Sequence, residues 1–117
     1  MANILIIGAG AIGTAFSFPC SDKNHSVVVL GTHLEDNFIE LINSKRFHPN
    51  LGCEIPDKVK FLKFEKFSQE IEKKVDLLVI AVSSKGIEWA SVELSRKIKE
   101  KIPILILTKG LAINNNS

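Results

Sequence analysis

Three glycines near the amino terminus have a spacing that binds phosphate groups in nucleotide-binding folds. Gly8, Gly10 and Gly13 form a G-x-G-x-x-G pattern directly after the apolar run of residues 3–7. In this pattern the first glycine permits a tight turn, the second lets a pyrophosphate approach, and the third lets the next helix pack closely. The free N–H groups at that helix start then face the phosphates. The pattern predicts a dinucleotide site; the apolar run disfavours the alternative of a glycine-rich turn without a ligand.

The residues after the second apolar strand determine which dinucleotide fits. In NAD-binding domains an acid about twenty residues beyond the glycines accepts a hydrogen bond from the ribose 2′-hydroxyl. Here Thr32 and His33 hold that place, and the first acids, Glu35 and Asp36, follow them. Thr32 can bond a hydroxyl or phosphate oxygen, and protonated His33 can bind a 2′-phosphate, so NAD and NADP both stay open. In the competing interpretation Thr32 caps the next helix, and the two acids complement its dipole.

Other polar side chains follow the later strands of the chain. Lys109 comes after the last apolar strand, where its ammonium could bind a substrate phosphate or carbonyl; an exposed surface lysine is the alternative. Ser83 follows the longest apolar strand, at the same edge of the sheet, where we expect it to contact the cofactor, and it can also cap the next helix. Lys85 is a weaker candidate than Lys109. His48 lies in a long loop, where a lone histidine is more often structural or exposed than catalytic, and Trp89 is expected to pack against its helix.

The elements that must position these residues alternate between strand and helix, with no internal repeat. Apolar runs predict strands over residues 3–8, 26–30, 59–62, 76–82 and 103–107. Helices are predicted over residues 11–22, 34–45, 67–74 and 87–99, and a loop over residues 46–56. In the second helix, the apolar face is expected to contain Leu34, Phe38, Leu41 and Ile42. This order predicts an α/β fold with a doubly wound, mainly parallel Rossmann-type sheet, whose strand carboxyl ends line one crevice.

Composition and charge limit the class of protein. The 117 residues are 45% hydrophobic and 24% charged, which predicts a single folded domain. The net charge of +2 comes from basic residues interleaved with acids, so we expect no nucleic-acid partner. No apolar run is long enough for a membrane span. Cys20 and Cys53 lack the spacing of metal ligands, which predicts reduced thiols, no metal site and a cytoplasmic location, although either could be a reactive thiol.

Five segments together resemble the N-terminal domain of NAD(P)-dependent glycerol-3-phosphate dehydrogenases. The segments are residues 8–15, 29–32, 48–51, 76–84 and 107–111, and T-K-G-L at 108–111 is the most specific after the glycines. The resemblance implies hydride transfer between NAD(P)H and dihydroxyacetone phosphate, giving glycerol 3-phosphate for phospholipid synthesis. It implies cofactor contacts from the backbone of Ala11 and Ile12, and from Thr32 and His33 at the adenine ribose. It also implies that Lys109 is catalytic and touches both the cofactor and the substrate phosphate.

The resemblance also sets expectations about domain organisation. Residues 1–112 are expected to form the dinucleotide-binding domain, and residues 113–117 a truncated end or the start of a linker. Members of the family continue into a helical substrate domain with a second lysine that transfers the proton, and this chain has no counterpart to it. We therefore expect a fragment that is inactive alone, with a homodimer left open. The alternatives are a stand-alone dinucleotide-sensing module and a fragment of a related reductase, such as one acting on ketopantoate or a hydroxyacid.

Overall fold

The computed structural model describes residues 2–98 and 101–107, except for the side chains of Ser84 and Lys85. Five strands form one sheet in which every neighbouring pair is parallel. They are β1 (Asn3–Ile7), β2 (Ser26–Leu30), β5 (Val59–Leu62), β6 (Leu77–Ile80) and β7 (Ile104–Ile106). Their order in the sheet is β5-β2-β1-β6-β7. From β1 the chain adds β2 and β5 on one side and then returns to add β6 and β7 on the other. The prediction of a doubly wound parallel sheet is confirmed.

The helices cover both faces of the sheet. They are α1 (Ala11–Asp22), α2 (Asp36–Lys45), α3 (Phe67–Glu72) and α4 (Ser84–Lys97). Side chains alternate along a strand, so Ile4 and Ile6 of β1 belong to one apolar cluster, and Leu5 and Ile7 to the other. The first cluster includes residues of α1 and α2, and the second includes residues of α3 and α4. Burial on both faces explains why the strands are almost continuously apolar.

The second helix is shorter than its sequence pattern predicts. It begins at Asp36 rather than at residue 34, and Leu34 is 82% exposed. Ile39 and Ile42 form its buried face, whereas Leu41 is 40% exposed. The predicted apolar face is therefore wrong at Leu34, which precedes the helix, and at Leu41, which lies on its exposed side.

The long loop predicted over residues 46–56 contains a small hairpin. Strands β3 (Phe47–His48) and β4 (Cys53–Glu54) pair antiparallel, outside the main sheet. Arg46 precedes the hairpin with a left-handed φ of 50°, and its guanidinium donates hydrogen bonds to the carbonyls of Pro56 and Val59. Two-residue strands are too short for any alternating pattern, which explains why the sequence did not predict them.

The helix predicted over residues 11–22 is confirmed as α1, whereas the boundaries of α3 and α4 differ by a few residues from those predicted. The helix predicted over residues 67–74 ends at Glu72, and a short 3₁₀ turn (Phe64–Lys66) precedes it. The helix predicted over residues 87–99 begins at Ser84 and ends at Lys97. Within the described ranges, no helix combines the length and apolar character needed to cross a membrane.

Candidate functional site

The glycine-rich turn connects β1 to α1 at the carboxyl edge of the sheet. Gly8 has a φ of +113°, a conformation that side chains rarely adopt, and its N–H donates to the carbonyl of Leu30 at 2.8 Å. A Cβ on Gly8 would overlap the carbonyl group of Ala81, which follows β6. Gly8 therefore permits the close approach of the segments that follow β1, β2 and β6.

The other two glycines of the motif have different surroundings. A Cβ on Gly13 would overlap the carbonyl oxygen of Gly8 and lie 3.0 Å from the Cβ of Ala81. Gly13 thus lets α1 pack directly on the turn. A Cβ on Gly10, by contrast, would meet no heavy atom within 4 Å. Packing within the described chain does not explain a glycine at position 10, whereas the approach of a ligand does.

The first turn of α1 presents features that suit an anion. Gly10 is the N-cap of this helix and provides no side chain to bond the free N–H groups. Ala11 and Ile12 follow it, Ile12 is 41% exposed, and the first turn holds no acidic residue. Unpaired N–H groups and the helix dipole therefore face open space at this point.

Ala9, between the first two glycines, is held by side chains from three separate segments. Its N–H donates to Oε1 of Glu35 at 3.1 Å, and its carbonyl lies 2.9 Å from Nε2 of His48. The hydroxyl of Thr14 also donates to this carbonyl, at 3.2 Å. Because three segments fix its peptide groups, the turn has a defined shape before any ligand arrives.

His48 reaches the turn from the hairpin and is completely buried. The N–H of Leu51 donates to its Nδ1 at 3.3 Å, so Nε2 carries the proton and donates to the carbonyl of Ala9. Its ring also meets Phe38 edge-on, with ring centroids 5.3 Å apart. The structural interpretation of His48 is correct, but its partner lies 39 residues away and no spacing in the sequence indicated it.

The segment after β2 departs from the helix-capping interpretation at Thr32. Oε1 of Glu35 accepts hydrogen bonds from the N–H groups of Thr32, at 2.8 Å, and of Ala9. Thr32 does not cap α2: the N-cap is Glu35, and the Thr32 hydroxyl accepts from the N–H of Leu34 at 3.3 Å. Asp36 lies in the first turn of α2, as the helix-dipole interpretation predicted. Glu35, which the strand-end argument set aside, is the acid that reaches the glycine-rich turn.

His33 follows β2 and Ser83 follows β6, the two strands that flank β1. His33 is exposed, and its ring centroid lies 4.4 Å from that of Trp89 in α4, which joins the end of β2 to the helix after β6. Trp89 thus packs against neighbouring aromatic rings, including Phe64 at 4.8 Å. Ser83 is exposed at the N-cap of α4, but its side chain makes no capping bond.

The segments after β1, β2 and β6 share one edge because their strands are parallel neighbours. The structure therefore places the glycines, Thr32, His33 and Ser83 at this edge. Lys109 and the T-K-G-L segment lie outside the described residues, as does the predicted boundary at residues 112–113.

Two concave surfaces lie elsewhere on the molecule. Cavities of about 320 and 840 Å³ share Lys73, Lys74 and Val75 in their walls, and the first also contains Asn3 and Ser26, where β1 and β2 begin. Ligands of open α/β sheets bind beyond the carboxyl ends of the strands, so we place the candidate site at the glycine-rich turn rather than in these cavities.

The structure also bears on the question of a reactive thiol. Burial raises the pKa of the Cys20 thiol above its ordinary value of 9.0. The nucleophilic thiolate is therefore scarce at neutral pH, and Cys20 is better described as a packing residue of α1.

Comparison with known proteins places this geometry in a family. The family model for the N-terminus of NAD-dependent glycerol-3-phosphate dehydrogenase matches residues 3–117. The chain is 28% identical over 114 residues to the NADP(+)-dependent glycerol-3-phosphate dehydrogenase of Archaeoglobus fulgidus. It is 31% identical over 119 residues to the glycerol-3-phosphate dehydrogenase [NAD(P)+] of Agathobacter rectalis. Each alignment covers 97% of this chain and 33% of the relative.

A solved structure shows the same fold. The crystal structure of glycerol-3-phosphate dehydrogenase from Coxiella burnetii matches with a TM-score of 0.76 and 24% identity, covering 92% of this chain and 32% of that one. The chain thus spans about a third of the length of the relatives it matches. On the match across residues 3–117, the chain belongs to the family defined by the N-terminal region of NAD-dependent glycerol-3-phosphate dehydrogenases.

Proposed function

We propose that this chain is the dinucleotide-binding part of an enzyme that interconverts dihydroxyacetone phosphate and glycerol 3-phosphate with NAD(P)H. The observation that supports this most directly is the open space at Gly10, at the start of α1, in a chain of this family. Gly8 and Gly13 are explained by close packing inside the fold. Gly10 is explained by a ligand that approaches the backbone.

The residues at the carboxyl edge fit a dinucleotide. The N–H groups of Ala11 and Ile12 would hold the diphosphate, since no acid in the first turn of α1 opposes it. Thr32 and His33 would lie by the adenine ribose, and Ser83 would line the opposite side of the crevice. The cofactor would supply the hydride, while the protein part is positioning and polarisation.

Lys109 completes the proposal on the strength of the family resemblance. Its ammonium would bind the substrate phosphate and contact the cofactor, because charge-assisted hydrogen bonds to phosphate are strong. The relatives are about three times as long as this chain. We expect turnover to require the rest of that length, because a general acid that protonates the developing alkoxide typically contributes about 10²–10⁴-fold in rate.

The test is a titration of the chain with NADH, in which binding is measured by fluorescence or calorimetry. The parent should bind with about 4–6 kcal/mol, which is a dissociation constant between about 1 mM and about 40 μM. Gly10→Val should weaken binding at least about tenfold, because a branched side chain would occupy the space of the diphosphate. The unfolding free energy should change by no more than about 1 kcal/mol, since position 10 is open.

A matched control adds the same side chain away from the turn. Ser91→Val places a valine at an exposed position of α4, and it should bind NADH as the parent does. A Gly10→Val chain that binds NADH as tightly as the parent would contradict the proposed site.

A further inference from the structure

The carboxylate of Glu35 stands at the corner between the glycine-rich turn and the end of β2. Its Oε1 accepts from the N–H of Ala9 at 3.1 Å and from the N–H of Thr32 at 2.8 Å. The residue is half-buried. Both bonds use the same oxygen, and among residues 2–98 and 101–107 no hydrogen bond engages Oε2.

Two local features bring this side chain back to the strand end. The N–H of Glu35 donates to the carbonyl of Thr32 at 3.0 Å, which closes a tight turn before α2. Gly31 makes room for that turn, since a Cβ there would lie 2.7 Å from Cγ1 of Ile39 and 3.2 Å from the Cβ of Glu35. A glycine at position 31 therefore lets α2 and Glu35 lie close to the end of β2.

The position of this carboxylate matters for cofactor choice. In dinucleotide-binding domains the ribose 2′-hydroxyl meets an acid near the end of the second strand, and NADP-binding domains accommodate the 2′-phosphate with a cation. In this sequence Thr32 and His33 directly follow the second strand, and neither residue is an acid. In the structure the acid near the end of β2 is Glu35, three residues beyond Thr32. A turn brings its carboxylate there, rather than an extension of the strand.

We propose that Glu35 determines cofactor choice, accepting the adenine-ribose 2′-hydroxyl of NAD(H) and repelling the 2′-phosphate of NADP(H). The proposal rests on the proposed function, since it requires that a dinucleotide bind at the glycine-rich turn. Family membership does not settle the choice, because the Archaeoglobus relative is named for NADP(+) and the Agathobacter relative for NAD(P)+. The polar side chains next to Glu35 in sequence include His33, which packs on Trp89, and Asp36, which is exposed.

A purely structural role for Glu35 predicts a different result. If the side chain only closes the turn, Glu35→Gln retains an amide oxygen that can accept from Ala9 and Thr32. The shape of the turn would then persist, and both cofactors would bind as in the parent. If the bonds weakened instead, NADH and NADPH would lose affinity together. Only a carboxylate that faces the ribose changes the ratio between the two cofactors.

The experiment measures dissociation constants for NADH and NADPH with the parent, Glu35→Gln and Asp36→Asn chains. The parent should prefer NADH, and Glu35→Gln should shift the NADH-to-NADPH affinity ratio toward NADPH by about 10–100-fold, as expected when like charges no longer meet. Asp36→Asn removes the same charge from the adjacent, exposed position. It should change the ratio by less than about twofold, since its charge is screened by solvent.

A second measurement needs no variant. Adenosine 5′-monophosphate and adenosine 2′,5′-bisphosphate, which differ only in the 2′-phosphate, compete with NADH on the parent chain, and the 2′-phosphorylated competitor should be the weaker one. Tighter binding of the 2′,5′-bisphosphate would overturn the proposal, as would an unchanged NADH-to-NADPH ratio in a folded Glu35→Gln chain. A parent that binds neither NADH nor NADPH would instead contradict the proposed function.

Discussion

The two flanks of the sheet on either side of β1 differ in how fully the described residues cover them. On the β2 flank, formed by β2 and β5, Leu30 is completely buried. On the β7 flank, formed by β6 and β7, Ile104, Leu105 and Ile106 are 37–50% exposed. The side chains that hold Ala9 in the glycine-rich turn are Glu35 from the β2 flank, His48 from the hairpin and Thr14 from α1. The described residues thus fix the glycine-rich turn from the β2 flank, whereas the β7 flank exposes apolar side chains.

The contact that joins the two flanks gives the largest expected effect. Gly8→Ala introduces a Cβ at a φ of +113° that overlaps the carbonyl group of Ala81. Backbone strain and overpacking together should lower the free energy of unfolding by about 4 kcal/mol, as measured by urea denaturation. Gly10→Ala is the control and should leave that free energy within about 1 kcal/mol of the parent, because nothing lies near its Cβ. Equal losses of unfolding free energy in the Gly8 and Gly10 variants would contradict the inference that Gly8 is required by packing and Gly10 is not.

A matched pair of leucines tests the difference in burial between the flanks. Leu30→Ala in β2 should cost about 3 kcal/mol of unfolding free energy, because it leaves a cavity at a completely buried position. Leu105→Ala in β7 should cost less than about 1 kcal/mol, because this side chain is already 37% exposed. Both values come from chemical denaturation of the same chain under the same conditions. Similar losses for the two variants would mean that the β7 flank is buried in solution, for example by a second copy.

The smallest of these losses of unfolding free energy should come from His48, whose side chain joins the hairpin to the glycine-rich turn. His48→Ala removes the donor to the carbonyl of Ala9 and should cost about 2 kcal/mol, because a buried acceptor then keeps only Thr14. His48→Gln retains an N–H donor and should recover part of that loss. Denaturation gives the stability, and NADH titration should show weaker binding by the alanine variant. If the alanine and glutamine variants lose the same free energy, the hydrogen bond to Ala9 does not stabilise the turn.

Much of the fold could be predicted because local patterns specify it. The apolar runs at residues 26–30 and 59–62 coincide with β2 and β5. The glycine spacing placed the start of α1 at Ala11, because the motif and the helix start are the same local feature. The start of α2 was predicted wrongly, because apolar spacing cannot show that residues 32–35 fold into a turn.

The sequence by itself determined the order of the main-sheet strands and their helices, the two apolar faces of the sheet and the place of the glycine-rich turn. These follow from periodicity and glycine spacing, which act over a few residues. Only the tertiary structure decided that His48 and Glu35 hold Ala9, at separations of 39 and 26 residues. Such contacts depend on how the hairpin and the turn before α2 pack against the sheet. Glu35 reaches Ala9 because the turn of residues 32–35 and the packing of α2 against Gly31 bring its carboxylate back to the end of β2.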